Sequence, residues 1–279
     1  MSEEEKLLTH LNEPQRQAVS APPGHQRIIA GAGSGKTRVL VHRIAWFIKI
    51  WNVPAQAILA VTFTNKAASS MRTRVESLLG EQLFGLWLGT FHSICHRILR
   101  MHHTACGLDS QFQVIDQDDQ LRLIKKIHKS LALDEKLHPA KKTQYFINSH
   151  KDRGIRADNL TIESEHDTLF KEIYQAYEQN CQASNLVDFN ELILRVVETL
   201  HNNQSLREHL QNQFRYILVD EFQDTNVLQY RLIQILAGET NFVSIVGDDD
   251  QSIYSWRGAG IENIRSFSKQ FPDATTIKL

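Results

Sequence analysis

Arg27-Ile28-Ile29-Ala30-Gly31-Ala32-Gly33-Ser34-Gly35-Lys36-Thr37 decides how this chain is read. A short apolar run leads into a glycine-rich loop, and a lysine and a hydroxyl residue then open a helical pattern. Glycines permit tight turns and close backbone approach, so successive N–H groups can converge on a phosphate. The positive end of the following helix acts at the same spot. Lys36 can reach the β- and γ-phosphates of a nucleotide, and the Thr37 hydroxyl can join the shell of a Mg²⁺. The stretch reads as a Walker A loop in which Ala30 stands where the generic motif has glycine. Its rival is a glycine turn that merely precedes a helix. Strand, loop, Gly-Lys-Thr and helix in register favour the phosphate cradle.

Outward from the loop, strands and helices alternate. Leu40, Ile44, Phe47, Ile48 and Trp51 follow helical spacing, Ala57 to Thr62 reads as a buried strand, and Thr64 or Asn65 then caps a second helix. Leu86 to Gly89 is a third short strand. From about Thr90 to Arg215 helical periodicity takes over, with Asp116/Asp119 and Asp188/Glu191 spaced as N-caps with an acidic third position. The strand pattern returns at Tyr216 to Val219 and Phe242 to Val246, and Thr276 to Leu279 begins another. The fold class expected is α/β, a parallel P-loop sheet with an inserted all-helical subdomain. The expected division is 1–89 with 215–279 for the sheet domain and 90–214 for the insertion.

In an open parallel sheet the carboxyl ends of the strands face one crevice. Asp220 and Glu221 follow a strand, so they land beside the loop, where Asp220 would hold the Mg²⁺ and Glu221 would orient the attacking water. Read alone, the pair would only complement the next helix's N-terminus. Gln251, past the end of another strand, could sense the γ-phosphate through its amide. Tyr254, Trp256 and Arg257 follow at once. Exposed aromatics there could stack on bases, and local core is the alternative. Phe63-Thr64-Asn65 and Phe91-His92 put one aromatic and polar donors on the same sheet edge, which suggests a track for a single strand with phosphates on Thr64, Asn65 and His92. Asn12 can cap a short helix that carries Gln15 just upstream of the loop. The Gln15 amide suits an adenine edge, and a helix-surface glutamine is the competing reading.

Composition narrows the classes. Net charge is −1 across 279 residues, so nucleic-acid binding would rest on local patches rather than bulk charge. Three unevenly spaced cysteines form no C-x-x-C pair and suit a reducing compartment. The acidic start, Glu3-Glu4-Glu5, is unlike a secretory signal, and no apolar run is long enough to span a bilayer. A soluble, cytoplasmic protein without a membrane partner is expected. His92 and His96 lack the Glu and third ligand of a zinc site. The clusters at Lys125/Lys126/Lys129 and Lys141/Lys142 read first as solvated helix faces, with a duplex contact as the alternative.

Taken in order, Leu11–Val19, Ala30–Thr37, Val61–Lys66, Gly89–His92, Val187–Phe189, Val219–Thr225 and Gly247–Arg257 resemble the motifs of superfamily 1A DNA helicases of the UvrD, Rep and PcrA type. The resemblance runs over essentially the whole chain. It implies a RecA-like ATP-binding domain called 1A and a helical subdomain called 1B. It implies ATP and Mg²⁺ as cofactors, single-stranded DNA and single/double-strand junctions as partners, and 3′-to-5′ translocation in repair or replication. Repair or replication proteins would be further partners. By the same resemblance Gln15 would read adenine and Arg38 would be the basic residue after the loop. Lys36 and Thr37 would bind phosphate and Mg²⁺, Asp220 the metal, and Glu221 would be the general base. Gln251 would link γ-phosphate to DNA, and Phe63, Phe189, Tyr254 and Trp256 would line the strand. The family's second lobe, with a Gln-Asn-Tyr-Arg segment that supplies an arginine finger, would lie beyond Leu279. The 279 residues alone are therefore expected to be inactive or weakly active.

Overall fold

The computed structural model describes residues 2–31, 33–162, 165–248 and 266–279. In chain order its elements begin with α1 (Glu3–Leu8), α2 (Glu13–Ser20), β1 (Gln26–Ile29), α3 (Lys36–Lys49), β2 (Ile58–Thr62) and α4 (Asn65–Leu79). There follow β3 (Trp87–Thr90), α5 (Phe91–Met101), β4 (Gln113–Ile115), α6 (Gln117–Ser130), α7 (Ala140–Asp152), α8 (Glu165–Ala183), β5 (Leu186–Asp188) and α9 (Phe189–Asn202). The remainder is α10 (Gln204–Gln213), β6 (Tyr216–Val219), α11 (Val227–Ala237), β7 (Phe242–Gly247) and β8 (Thr275–Lys278). These residues form two compact units, 1–94 with 203–279, and 95–202.

The first unit is built on a six-stranded sheet in the order β3-β2-β6-β7-β1-β8. Every ladder in it is parallel. Parallel strands are covered on both faces, so they read as continuous apolar runs, and all five residues of β2 are buried. Strand alternation then assigns the faces. Ile28, Ile58, Ala60, Leu218, Val246 and Ile277 share one core with Val39, Ile44 and Phe47 of α3 and with Met71 and Val75 of α4. On the other face Trp87 meets Phe214 edge-on, with ring centroids 5.0 Å apart. The helix starts are set locally. Asn12 and Gln15 form a reciprocal capping box on α2, and the Thr64 hydroxyl accepts from Ala67 N–H to open α4. The all-parallel arrangement places the residues after β1, β2, β3, β6 and β7 at one edge of the sheet.

The second unit is mainly helical. Ile124 and Ile127 of α6, Ile147 of α7, and Ile173, Tyr174 and Tyr177 of α8 pack in its core. It also holds a two-stranded parallel ladder, Gln113–Ile115 against Leu186–Asp188, where helices alone were expected. Three residues per strand are too few for an alternation to register in the sequence. The expected boundary at 214/215 also differs from the observed units. Helix α10 lies in the first unit because the Gln211 carbonyl accepts from Asn241 Nδ2 at 2.7 Å and Gln211 Nε2 donates to the Ile235 carbonyl. Among the described residues no helix is long and apolar enough to cross a membrane.

Candidate active site

The loop between β1 and α3 starts at Ala30, which is buried and donates its N–H to the Gly247 carbonyl at 2.9 Å. Gly33 and Gly35 hold φ of 75° and 93°, the left-handed region that glycine enters without penalty. Gly35 has a second reason to lack a side chain: a Cβ there would lie 2.7 Å from Gln15 Nε2. The Ser34 hydroxyl donates to the Gly31 carbonyl at 2.8 Å and its own carbonyl accepts from Gln15 Nε2 at 2.8 Å. Gly35 is the N-cap of α3, so Lys36 and Thr37 occupy that helix's first turn, where its free N–H groups and positive end lie. A cavity of about 350 Å³ opens here, lined by the loop from Gly33 to Arg38 together with Gln15 and Arg74. Ala32 lies outside the described residues.

Gln15 is 6 % exposed, and both ends of its amide are engaged: Oε1 accepts from Asn12 N–H at 3.1 Å while Nε2 reaches Ser34. One amide hydrogen and one lone pair remain for a base edge. Arg38 is exposed at the rim. Arg74, on α4, lines the same cavity and was not singled out from the sequence. It sits on the polar face of an ordinary amphipathic helix, and only the sheet order brings that face to the loop.

Lys36 Nζ lies 2.8 Å from Glu221 Oε2. This contact joins the ends of β1 and β6 across 185 residues of sequence and places the loop and the Asp220-Glu221 pair at one point. Asp220 is 5 % exposed and accepts from the Glu221 N–H at 3.1 Å. Burial, and then the neighbouring Glu221 charge, push its carboxyl from 3.8 up to about 6. Burial and the Glu221 charge also raise Asp224. A buried carboxylate whose ionisation is opposed in this way is suited to a hard cation. Asp220 and the Thr37 hydroxyl are the protein groups here that would hold Mg²⁺, an ion that neutralises phosphate charge when bound. Among the described residues no cluster of three or more His, Cys, Asp or Glu could hold a metal.

The expected DNA-facing residues divide. Phe63 is 43 % exposed just past β2, and Thr64 and Asn65 are exposed beside it, the Thr64 hydroxyl being used as the α4 cap. Phe91 is a correction: it is 4 % exposed and belongs to the core. As the first residue of α5 its ring turns inward, whereas its neighbour His92 is half-buried. His96 is engaged by Arg100 Nε at 3.1 Å. In the second unit Phe189 is 47 % exposed at the start of α9. Gln251, Tyr254, Trp256 and Arg257 lie outside the described residues.

Residues 11–272 match the family described as UvrD/REP helicase N-terminal domain. The chain is 53 % identical to DNA helicase II of Haemophilus influenzae and 50 % identical to DNA helicase II of Escherichia coli, in each case over 98 % of this chain and 38 % of that protein. It is 41 % identical to the ATP-dependent DNA helicase PcrA of Staphylococcus aureus, again over 98 % of this chain and 38 % of the relative. The chain thus spans well under half the length of the relatives it matches.

Proposed function

The chain belongs to the UvrD/REP helicase N-terminal domain family, and on that premise we propose that it is the ATP- and single-strand-binding part of an ATP-dependent DNA helicase that moves 3′ to 5′ and serves repair or replication in the cytoplasm. The observation that carries this reading is the 2.8 Å approach of Lys36 to Glu221, which brings the phosphate loop and the acidic pair together. In this reading the loop N–H groups and Lys36 hold the β- and γ-phosphates. Thr37 and Asp220 hold Mg²⁺, and Glu221 orients the attacking water. Gln15, Arg38 and Arg74 face the nucleoside end. Phosphoryl transfer asks the protein mainly for positioning and charge stabilisation, which these groups supply.

The same reading assigns the sheet edge after β2 to a single strand, with Phe63 stacking on a base and Thr64, Asn65 and His92 near phosphates. Phe189 is proposed, by itself, as a further aromatic for single-stranded DNA. Gln251 would link the γ-phosphate to this track, with Tyr254, Trp256 and Arg257 along it. The units 1–94/203–279 and 95–202 are read as subdomains 1A and 1B. Acting without an arginine finger, which contributes roughly 10³–10⁵ in rate, the 279 residues would be inactive or weakly active. The test is strand displacement by the full-length protein on duplexes with a 3′ or a 5′ single-stranded tail. Unwinding that needs ATP and a 3′ tail is expected; unwinding only from a 5′ tail would overturn the polarity, and none from either would overturn the reading.

A further inference from the structure

Arg43 lies on α3, roughly two helical turns past Lys36, and is 1 % exposed. Among the described residues no carboxylate pairs with its charge, and burial pulls the guanidinium down to about 9. An unpaired buried cation is costly unless other groups hold it. Here Nη1 faces three carbonyls at the end of α2, donating to Ala18 at 2.9 Å, Val19 at 3.0 Å and Ala21 at 3.2 Å. The guanidinium carbon also lies over the Phe47 ring, 4.7 Å from its centroid, and 5.8 Å from that of Trp51. The sequence explains why α2 needs a donor from outside. A helix leaves its last carbonyls without intrahelical partners, and the residues that follow commonly supply N–H groups. The C-cap Ala21 is followed by Pro22 and Pro23, which have none. Ala18 and Val19 are 0 % exposed, so water does not serve them either.

The other end of α2 carries Gln15, whose Nε2 donates to the Ser34 carbonyl at 2.8 Å. The fit there is tight, since a Cβ at Gly35 would come within 2.7 Å of that nitrogen. With only eight residues α2 moves as one piece, so a displacement at Ala18 is carried to Gln15. Helix α3 thus serves the site twice. Its first turn belongs to the phosphate cradle, and Arg43 anchors the helix that carries the amide. We infer that Arg43 is a positioning residue that sets Gln15 against the phosphate loop and so fixes the preference for adenine over other bases. The inference rests on the proposed function, in which Gln15 faces the nucleoside end, and deepens it. Adenine offers an N6 donor beside its N7 acceptor, whereas guanine offers two acceptors, so only adenine matches both groups of one amide. That match depends on placement, because hydrogen bonds weaken steeply away from linear geometry.

The test compares bases rather than turnover. Affinities of the 279-residue chain for Mg·ATPγS and Mg·GTPγS are measured by isothermal titration, and their ratio is the readout. In the unmodified chain ATPγS should bind at least about fivefold tighter, as a matched base edge allows. Gln15→Ala should bring that ratio close to one. Arg43→Met, which lacks the charge and the donors, should do the same by weakening ATPγS, while GTPγS affinity stays within about twofold because the loop is untouched. Arg43→Lys keeps the charge and donors on a shorter, flexible stem and should recover part of the ratio. If Arg43→Met does not fold, Arg43→Lys decides, with a ratio between those of the unmodified chain and Gln15→Ala. Added to Gln15→Ala, Arg43→Lys should change the ratio no further, because the arginine acts through that amide. An unchanged ratio in the Arg43 variants overturns the inference. So does a parallel fall of both affinities with the melting temperature, which would mark Arg43 as purely structural. If the unmodified chain binds the two nucleotides equally, or Gln15→Ala leaves the ratio intact, base reading by Gln15 fails and the inference with it. If the unmodified chain binds neither nucleotide, it is the proposed function that fails.

Discussion

Lys36 Nζ and Glu221 Oε2 are 2.8 Å apart, with the lysine side chain 12 % and the glutamate side chain 34 % exposed. The loop's cation therefore rests on the carboxylate that would orient the attacking water. Lys36→Ala should weaken Mg·ATP binding roughly 10- to 100-fold, the range for one charge-assisted hydrogen bond of about 1.5–3 kcal/mol. Turnover in the full-length protein should be lost. Binding of single-stranded DNA without nucleotide should stay within about twofold, because Lys36 does not touch the proposed DNA track. Isothermal titration with ATPγS reads the first quantity and oligo(dT) anisotropy the last. Nucleotide affinity close to that of the unmodified chain would remove the phosphate-loop assignment.

Phe63 and Phe91 offer a paired test, since one is 43 % and the other 4 % exposed. Phe63→Ala should weaken oligonucleotide binding by roughly 1–3 kcal/mol per lost stack, alike for different sequences, at little cost in stability. Its salt slope should be unchanged, because no phosphate contact is removed. Phe91→Ala should instead destabilise the fold by about 3–5 kcal/mol as a core deletion. Denaturant melts and anisotropy titrations of both variants check this. A Phe91→Ala chain that melts normally but binds DNA poorly would return Phe91 to the track.

These two residues also show where sequence stops being informative. Both follow a strand, and the strand pattern is legible because parallel strands are continuous apolar runs. What differs is that Phe63 precedes the helix cap whereas Phe91 is itself the first helical residue, and the direction of a side chain at a helix start depends on tertiary packing. The phosphate loop was legible because its residues are contiguous. The role of Arg43 was not, since the carbonyls it serves at Ala18 and Val19 are 25 and 24 positions away. Glu191 carried a local signal, the acidic third position after Asp188, and its N–H does donate to Asp188 Oδ1 at 2.8 Å. Its burial at 3 % among Lys151, Arg156 and Arg195 had no local signal, because two of those partners lie on other elements.

Asp220 gives the site a pH dependence. Its carboxyl ionises near 3.8 in the unfolded chain and near 6 in the fold, so the folded state holds the proton more tightly. The ionised form then costs the fold on the order of 3 kcal/mol above pH 6, and that cost is relieved as pH falls toward 4. Asp220→Asn should accordingly stabilise the nucleotide-free chain by up to about 3 kcal/mol at pH 7.5 but only about 1 kcal/mol at pH 4.5, and remove the Mg²⁺ dependence of nucleotide binding. Urea melts at the two pH values are the measurement. A variant less stable than the parent at pH 7.5 would mean that the buried carboxylate is already compensated.

Lys151 anchors the charge network of the second unit. Its Nζ is 2.6 Å from Asp188 Oδ2 and 2.9 Å from Glu191 Oε2, at 2 % side-chain exposure. Tyr177 OH donates to the same Asp188 oxygen at 2.7 Å, while Asp188 Oδ1 caps α9. Burial alone would lower the lysine, but the two carboxylates outweigh it and hold Lys151 above its ordinary value. Removing one member of a buried pair leaves the other charge uncompensated, a loss of about 3–5 kcal/mol. Lys151→Met should therefore lower stability by about that amount. Glu191 would still be held by Arg156 at 2.7 Å and by Arg195 at 2.7 Å, so the uncompensated charge is mainly that of Asp188. Adding Asp188→Asn to Lys151→Met should then recover a large part of the loss, because asparagine keeps the oxygen that caps α9 and needs no counter-ion. Guanidinium melts of the single and double variants decide it. A double variant no more stable than Lys151→Met alone would show that the loss does not arise from an uncompensated Asp188 charge.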